Sequence, residues 1–476
     1  MSIGSILNTA TAGMSAQQLA IQIASQNISN AETPGYSKQT ANLQATLPTV
    51  FPYGSVGTGV AVTSITRSRD TMLDATYRTA NSAQSQASTT SSAMDQIQSV
   101  LGEPSDTGLS SSLDAFWSAW DNLANNPTDS SAKSVVLQTG GNVASTLNNM
   151  ARQLDALDQN NRDAMNAGVN QANALTQQIA AYNKQIVAAE AGGQTANDLR
   201  DARDNLCDQL AGLVGGQIIN RANGSIGVYV GGRLVVDGAS ATPFQMNDGQ
   251  PPYVSFVGST EPLTGIAGSL GAEIDLSTNR IPSVISRLDS VASTLVQSVN
   301  SVHSTGTTFT GTPPVSGQAG NFFAVTNPPP AGADPYLTAR GIKLDPGMTD
   351  ASKVAASGAA AAGPGDNATA TALATLRSAA VSITDPTGAT VGSDSISTWY
   401  QSLVGDVATQ TSQADDDSTV QSTLASNADQ RRQSVSGVST DEELVSVIEH
   451  QHAYQAAARL VTTVNDMLDT LLNIGQ

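Results

Sequence analysis

Charge is scarce in this chain, and positive charge scarcer still. Of 476 residues only 13% are Asp, Glu, Lys or Arg, against about a quarter in ordinary soluble domains. The 21 basic residues face 40 acidic ones, a formal net charge of −19, and no basic cluster interrupts the acidity. A phosphate backbone would be repelled, which excludes nucleic-acid binding, and an anionic membrane surface is disfavoured for the same reason. Aromatics stand at 4%, and the single cysteine, Cys207, excludes an internal disulfide framework. In its helical surroundings it reads as a small buried hydrophobe. No stretch approaches the roughly 18–20 apolar residues that a spanning helix needs, so no membrane insertion is expected. The first 31 residues carry no charged side chain, so the basic start of a signal peptide is missing too. A protein of this kind working outside the cell would leave by a route that ignores such a signal.

The side chains of catalysis are equally sparse. Of the three histidines, His450 and His452 are two positions apart, about 200° around a helix, and cannot share a metal ion. His303, near a helix end, reads as a cap or dipole partner. Asp415, Asp416 and Asp417 lack the alternating ligands and glycine of a calcium loop and read as a solvated helical face. Gly224, Gly227, Gly231 and Gly232 lie among strands and not ahead of a helix, so they make no phosphate loop, and no nucleophile elbow occurs. No catalytic residue, cofactor or metal site is expected, and the chain reads as a non-enzyme.

What fills the sequence instead is Ala, Ser, Thr, Asn and Gln in helical patterns, long enough for two to four domains. Ile3, Leu7, Ala10, Met14, Gln17, Ile21, Ala24 and Ile28 recur in alternating steps of four and three, a heptad seam. That helix must stop near Thr33-Pro34-Gly35. At the other end Thr440 with Glu443 reads as a capping box. Leu444, Val447, Gln451, Tyr454, Ala458, Val461, Asn465, Leu468 and Leu472 then form a second seam, widened by Ile448, Leu460, Val464, Leu471 and Ile474. Between the ends, helices are expected over 70–101, 109–123, 134–191 (its stripe drifting around 161–165 as a stutter would) and 198–213. After Gly215-Gly216 the period shortens. Strands are expected over 217–221, 225–230 and 233–236, with Asn223-Gly224 and Gly231-Gly232 as hairpin turns, and again over 253–257. Helix returns over 281–303, loops with a few strands fill 305–365, and helices close the middle over 368–380 and 396–434.

The N-terminal helix is ill suited to stand alone. With no charge it has no ion pairs on its polar face. Burying five large seam residues at roughly 1.5–3 kcal/mol each does not cover the ordering of its backbone at ~1–2 kcal/mol per residue, and Gly4 and Gly13 each subtract about 1 kcal/mol. The two terminal helices are therefore expected to pair, and to order fully only when neighbouring subunits cover their remaining faces.

The segment Asn27-Ile28-Ser29-Asn30-Ala31-Glu32-Thr33-Pro34-Gly35-Tyr36-Ser37 resembles the N-terminal signature of the flagellar rod, hook and hook-associated protein family. Tyr454-Gln455-Ala456-Ala457-Ala458-Arg459-Leu460-Val461, continuing through Asn465-Asp466-Met467-Leu468-Asp469-Thr470-Leu471-Leu472-Asn473, resembles its C-terminal signature, with Ala457 where the family often has Asn. Asp198-Leu199-Arg200-Asp201-Ala202-Arg203-Asp204-Asn205-Leu206, the block from Gly268-Ser269-Leu270-Gly271 to Val299-Asn300-Ser301-Val302-His303, and Gly363-Pro364-Gly365-Asp366-Asn367 are similar to the hook–filament junction branch of that family. The resemblance implies a mainly α fold with a β-rich middle: a terminal coiled-coil domain (1–33 plus 438–476), a long-helix bundle domain (34–215, 269–303 and 366–437) and a small outer domain of β-hairpins and loops (216–268 plus 304–365).

It also implies an exported structural subunit of the bacterial flagellum. Its partners would be further copies of itself in a ring, the hook protein, the next hook-associated protein toward the filament, and an export chaperone. The assembly seam would consist of Ile3, Leu7, Met14, Ile21, Ile28, Leu444, Tyr454, Val461, Leu468 and Leu472, and the signature turn of Asn30, Thr33, Pro34, Gly35 and Tyr36. The rival reading is a bulk polymer, a hook or rod subunit that self-associates into an indefinite tube. The shared terminal signatures do not separate the two; the internal blocks favour the junction.

Overall fold

The computed structural model describes residues 3–51, 54–311, 314–325 and 338–474. Helix α1 (Ile3–Ser29) opens the chain and is followed by an arm of four short strands, β1 (Gln39–Ala45), β2 (Thr49–Phe51), β3 (Gly54–Val56) and β4 (Val60–Arg67). β1 pairs antiparallel with β4, and β2 with β3 at the tip. The arm was not expected. Its strands are polar and mostly exposed on both faces, so they lack the apolar alternation that marks a half-buried strand.

Four helices follow, α2 (Thr71–Leu101), α3 (Leu109–Asn125), the 60-residue α4 (Ser130–Ala189) and α5 (Asn197–Val214). Asp70 caps α2 by accepting from the Met72 and Leu73 amides, and Gly102 ends it in the left-handed conformation. Strands β5 (Gln217–Asn220), β6 (Ile226–Val230), β7 (Arg233–Asp237) and β8 (Ser240–Ala241) make one antiparallel sheet in that order, beside the hairpin of β9 (Phe244–Asn247) and β10 (Tyr253–Phe256). α6 (Gly268–Asp275) runs through a π-helical stretch (Leu276–Arg280) into α7 (Ile281–His303). Then come the hairpin β11 (Thr307–Thr310)/β12 (Val315–Gln318), strand β13 (Phe323–Val325), the short α8 (Thr338–Gly341), β14 (Ile342–Leu344), which pairs with β13, and α9 (Ala368–Thr375). The hairpin β15 (Val381–Thr384)/β16 (Thr390–Asp394) precedes two long helices, α10 (Ile396–Ser436) and α11 (Thr440–Ile474). The helix expected over 368–380 ends at Thr375, and residues 376–380 form a turn that leads into β15.

Two hydrophobic cores share α4. The inner one gathers α3, the first half of α4, α7, α9 and the start of α10 around Phe116, Trp117 and Trp120. The outer one packs the second half of α4 and α5 against β6, β7, β9 and β10. Along α4 no core residue falls between Leu154 and Met165, which is where the apolar stripe loses its phase. Segment 304–365 was expected to lie with the outer β-rich domain, but its described core residues, from Phe322 and Phe323 to Ala356, pack into the inner bundle. Phe322 and Phe323 are wholly buried there against Phe116, with ring centroids 5.7 and 5.8 Å away, and aromatic burial on that scale outweighs the preference of nearby strands for one sheet. Gly140 of α4 admits Phe322, since a Cβ at that position would sit 2.6 Å from the ring. α2 and α10 run antiparallel along the bundle, with Tyr400 near Leu101 at one end and Arg432 over the Tyr77 ring at the other.

Candidate assembly site at the terminal helices

α1 and α11 pair antiparallel. Gly13 lies opposite Ala457, the two Cβ positions 4.0 Å apart, and the His450 ring approaches Gln17 at 2.6 Å. The buried residues of α1 are Ala10, Ala16, Ala20, Ile23, Ala24 and Asn27: Ala10 and Ala24 belong to the expected seam, and Ala16, Ala20 and Asn27 each stand one position before Gln17, Ile21 and Ile28. Small residues let the helices approach closely, so the alanines take the inner face. Ile3, Leu7, Met14, Ile21 and Ile28 are left half-buried along its edge. On α11 Val464, expected to flank the seam, is buried, Tyr454, Val461 and Leu468 are half-buried, and Leu444 is exposed. The side chain of Leu472 lies outside those described. The pattern located the two helices and, on α1, gave its large side chains more weight than the alanines that take the buried face.

The capping box is also displaced. Ser439, not Thr440, caps α11: its carbonyl accepts from the Glu443 amide at 3.0 Å. Glu443 instead turns inward to a buried amide, Asn27. That residue is 1% exposed and all four of its hydrogen-bonding positions are used. Its Nδ2 donates to the Gln39 carbonyl and to Glu443 Oε2, both at 2.9 Å. Its Oδ1 accepts from Tyr36 Oη at 2.9 Å and from the Gln39 amide at 3.0 Å. Lys38 completes the node, with Nζ 3.0 Å from Glu443 Oε1 and its backbone amide donating to the Ser436 carbonyl at 2.9 Å. Burial, then the nearby carboxylates of Asp198, Asp201 and Glu443, push the Tyr36 phenol up to about 12, so it stays a donor at any physiological pH.

The signature turn builds this node. Asn30 accepts from Thr33, both at its backbone carbonyl and at its side chain, and the Thr33 carbonyl accepts from the Tyr36 amide. Gly35 has φ 82°, and a Cβ there would lie 3.0 Å from that of Asn205, so only glycine fits both the backbone and the space. Pro34 is exposed and acts by ending α1.

One step further in, α5 presents Asp201, Asp204 and Asp208 on one face, at i, i+3 and i+7. Asp201 accepts from the Ser37 amide and hydroxyl at 3.0 and 2.8 Å. Arg67, at the root of the arm, pairs with both Asp201 and Asp204. Arg78 of α2 and Arg432 of α10 each hold one oxygen of Asp208 at 2.6 Å. Burial disfavours the Asp204 charge, but Arg203, Arg67, Arg69 and Arg78 outweigh it and hold the carboxyl below its usual range. This network ties the arm, α2, α5 and α10 together directly behind the terminal pair. Asn27, Ser37, Gln39, Asp201 and Glu443 were not among the expected site residues. The available signal was an Asn at a seam-adjacent position of an otherwise uncharged helix, together with acidic residues spaced on one face of α5.

The remaining chemistry is structural. Cys207 is buried, which pushes its thiol up to about 12. His303 is not a helix-end cap: its Nε2 accepts from the Ala355 amide at 3.1 Å and its Nδ1 lies 2.7 Å from the Gly320 carbonyl, which fixes a neutral tautomer inside the core. Among the described residues no group of His, Cys, Asp and Glu could hold a metal ion, and no helix is long and apolar enough to cross a membrane.

Two apposed terminal helices, a glycine turn locked behind them and a long-helix bundle define an axial protein of the flagellar type. Residues 7–36 match the family profile "Flagella basal body rod protein" and residues 429–474 match "Flagellar basal body rod FlgEFG protein C-terminal". Residues 94–323 match "Flagellar hook-associated protein FlgK helical domain". The chain is 31% identical to flagellar hook-associated protein 1 of Bacillus subtilis, over 98% of this chain and 97% of that one. It is 24% identical to the protein of the same name in Escherichia coli, over 99% of this chain and all of that one. The solved flagellar hook junction protein FlgK of Burkholderia pseudomallei superposes with a TM-score of 0.64 at 16% identity, covering 76% of this chain and all of that one, and so shares the fold. The chain belongs to the flagellar hook-associated protein 1 family.

Proposed function

We propose that the chain is a non-catalytic structural subunit that assembles on the distal end of the hook and joins it to the filament through other hook-associated proteins. The observation that carries this reading is the incomplete α1–α11 pair. Its small residues are satisfied within the chain, while Ile3, Leu7, Met14, Ile21, Ile28, Tyr454, Val461 and Leu468 remain half-covered. A ring of further copies, with hook protein below and the next hook-associated protein above, would complete their burial. The inner, bundle and outer regions would then stack outward from the axis. Export without a cleaved signal, escorted by a chaperone, fits an α1 that gains little by folding alone. Deletion of the gene tests the reading by electron microscopy, with flagellin assayed in the medium. Complete hooks without filaments and flagellin lost to the medium are expected. Absent hooks would make this a rod or hook component, and unchanged filaments would overturn the flagellar assignment.

A further inference from the structure

Positive charge is dispersed along the sequence, but folding gathers it. Six of the 21 basic residues line one cleft of about 600 Å³ between the start of α2, α5 and the β5–β6 turn. Arg67, Arg69, Arg78, Arg200, Arg203 and Arg221 share its wall with only two carboxylates, Asp74 and Asp204. Other carboxylates that pair with these arginines lie outside the wall: Asp208 with Arg78, Glu190 with Arg200 and Asp237 with Arg221. Burial alone would favour a protonated Asp204, yet Arg203, Arg67, Arg69 and Arg78 hold its carboxyl below the usual range. The local field is therefore positive in a chain of formal charge −19.

The donors on this wall outnumber the acceptors that the chain supplies. A guanidinium carries five N–H groups, and three of the most buried arginines use few of theirs. Arg78 is 9% exposed and donates only from Nε, to Asp208 at 2.6 Å. Arg69, its side chain 9% exposed, gives Nε to Ser37 and reaches Asp74 only at 3.5 Å from Nη1. Arg67, its side chain 12% exposed, uses Nη1 alone for both Asp201 and Asp204. Both Nη groups of Arg78, and Nη2 of Arg67 and of Arg69, thus meet no acceptor among the described residues. Donors left in that state are destabilising, and like charges gathered away from bulk water repel. An oxyanion relieves both, since its oxygens accept from several forked donors and its charge offsets the excess. We propose that the cleft binds an oxyanion, a phosphate or carboxylate group held by Arg67, Arg69 and Arg78, with the more exposed Arg200 and Arg221 at the mouth. Its source is a dissolved ion or an acidic side chain of another subunit.

The test uses the isolated full chain, so its outcome does not depend on the assembly reading above. Inorganic phosphate stands for the dissolved ion and a tetra-aspartate peptide for the side chains of a subunit. Each is titrated by calorimetry near neutral pH, at constant ionic strength set with chloride. At least one probe should bind with saturation. Tighter binding of phosphate would assign the dissolved ion, and tighter binding of the peptide another subunit. No saturable binding of either would overturn the site. Thr79 of α2 also lines the cleft and is exposed. Thr79→Glu supplies the chain with a carboxylate of its own there and should weaken binding about tenfold or more. Thr79→Gln adds a neutral side chain of the same size and should bind as the native chain does; equal binding by the two variants would overturn the site. As a second comparison, Arg221→Gln should weaken binding, whereas Arg233→Gln, outside the cleft and paired with Glu261 on the surface, should not. Equal weakening by both would reduce the effect to overall charge and overturn the proposal.

Discussion

Replacing Asn27 by Ala should release the terminal pair from the bundle without unfolding the bundle itself. The substitution removes four hydrogen bonds from a site 1% exposed: three to neutral partners at Gln39 and Tyr36, and one to the Glu443 carboxylate. Neutral bonds contribute about 1 kcal/mol each and one to a charged group about 1.5–3 kcal/mol. Water entering the vacated space and the surviving Lys38–Glu443 pair recover part of the sum, leaving a loss of roughly 3–5 kcal/mol. The loss is local, because the two cores share no residue with this node. Hydrogen exchange is the assay. The Gln39 amide, bonded to Asn27 Oδ1 in the native chain, should exchange on the order of 10²–10⁴ times faster, while amides around Leu147 and Val291 keep their protection. An increase below tenfold at Gln39 would refute the claim that Asn27 holds the junction. A matching loss at Leu147 would refute its locality.

Three further outcomes are expected. Gly140→Ala places a Cβ 2.6 Å from the Phe322 ring and should cost about 1–3 kcal/mol by overpacking, read as a lower thermal midpoint; an unchanged midpoint would mean that the aromatic cluster is loose. Burial raises the Glu273 carboxyl to about 7, above its unfolded value of 4.5. Its contribution is therefore complete below pH 4.5 and lost as pH rises through 7. Glu273→Gln should accordingly stabilise the protein relative to wild type at pH 8 by roughly 1–2 kcal/mol after allowance for its partial exposure. The gain should vanish near pH 4.5, and a gain independent of pH would remove burial as the cause. Leu468→Asp should block incorporation into flagella while the far-ultraviolet spectrum of the purified chain stays native; normal filaments in that variant would exclude Leu468 from the seam.

Much of the fold was legible because long helices repeat their signal. α4 and α11 each declare themselves over many turns, and the hairpin at β6 and β7 follows from Gly231-Gly232. What escaped shares one property: the decisive contact lies far away in sequence. The arm is polar because α1 covers only part of it, and neither the arm nor α1 predicts the other. Phe322 and Phe323 go to the inner bundle because of Phe116, about 200 positions upstream. The seam phase is set by Gly13 meeting Ala457, a match between two small residues that hydrophobic weighting ignores. Ser439 displaced Thr440 as the cap because Glu443 is claimed by Asn27, a bond spanning 416 positions.

The two cores and the terminal pair are nested in the chain like brackets. The buried residues of the outer core run from Met165 to Leu270. The inner core encloses it, reaching from Met94 to Ala414, and the α1–α11 pair encloses both. Closing a contact costs more chain entropy, and more time, the further apart its partners lie. The chain should therefore settle from the middle outward. The outer lobe can fold while the rest is still loose, the bundle waits for α10, and the helices that would meet other subunits are the last to find each other. The surfaces with most to lose from premature contact are thus the latest to exist.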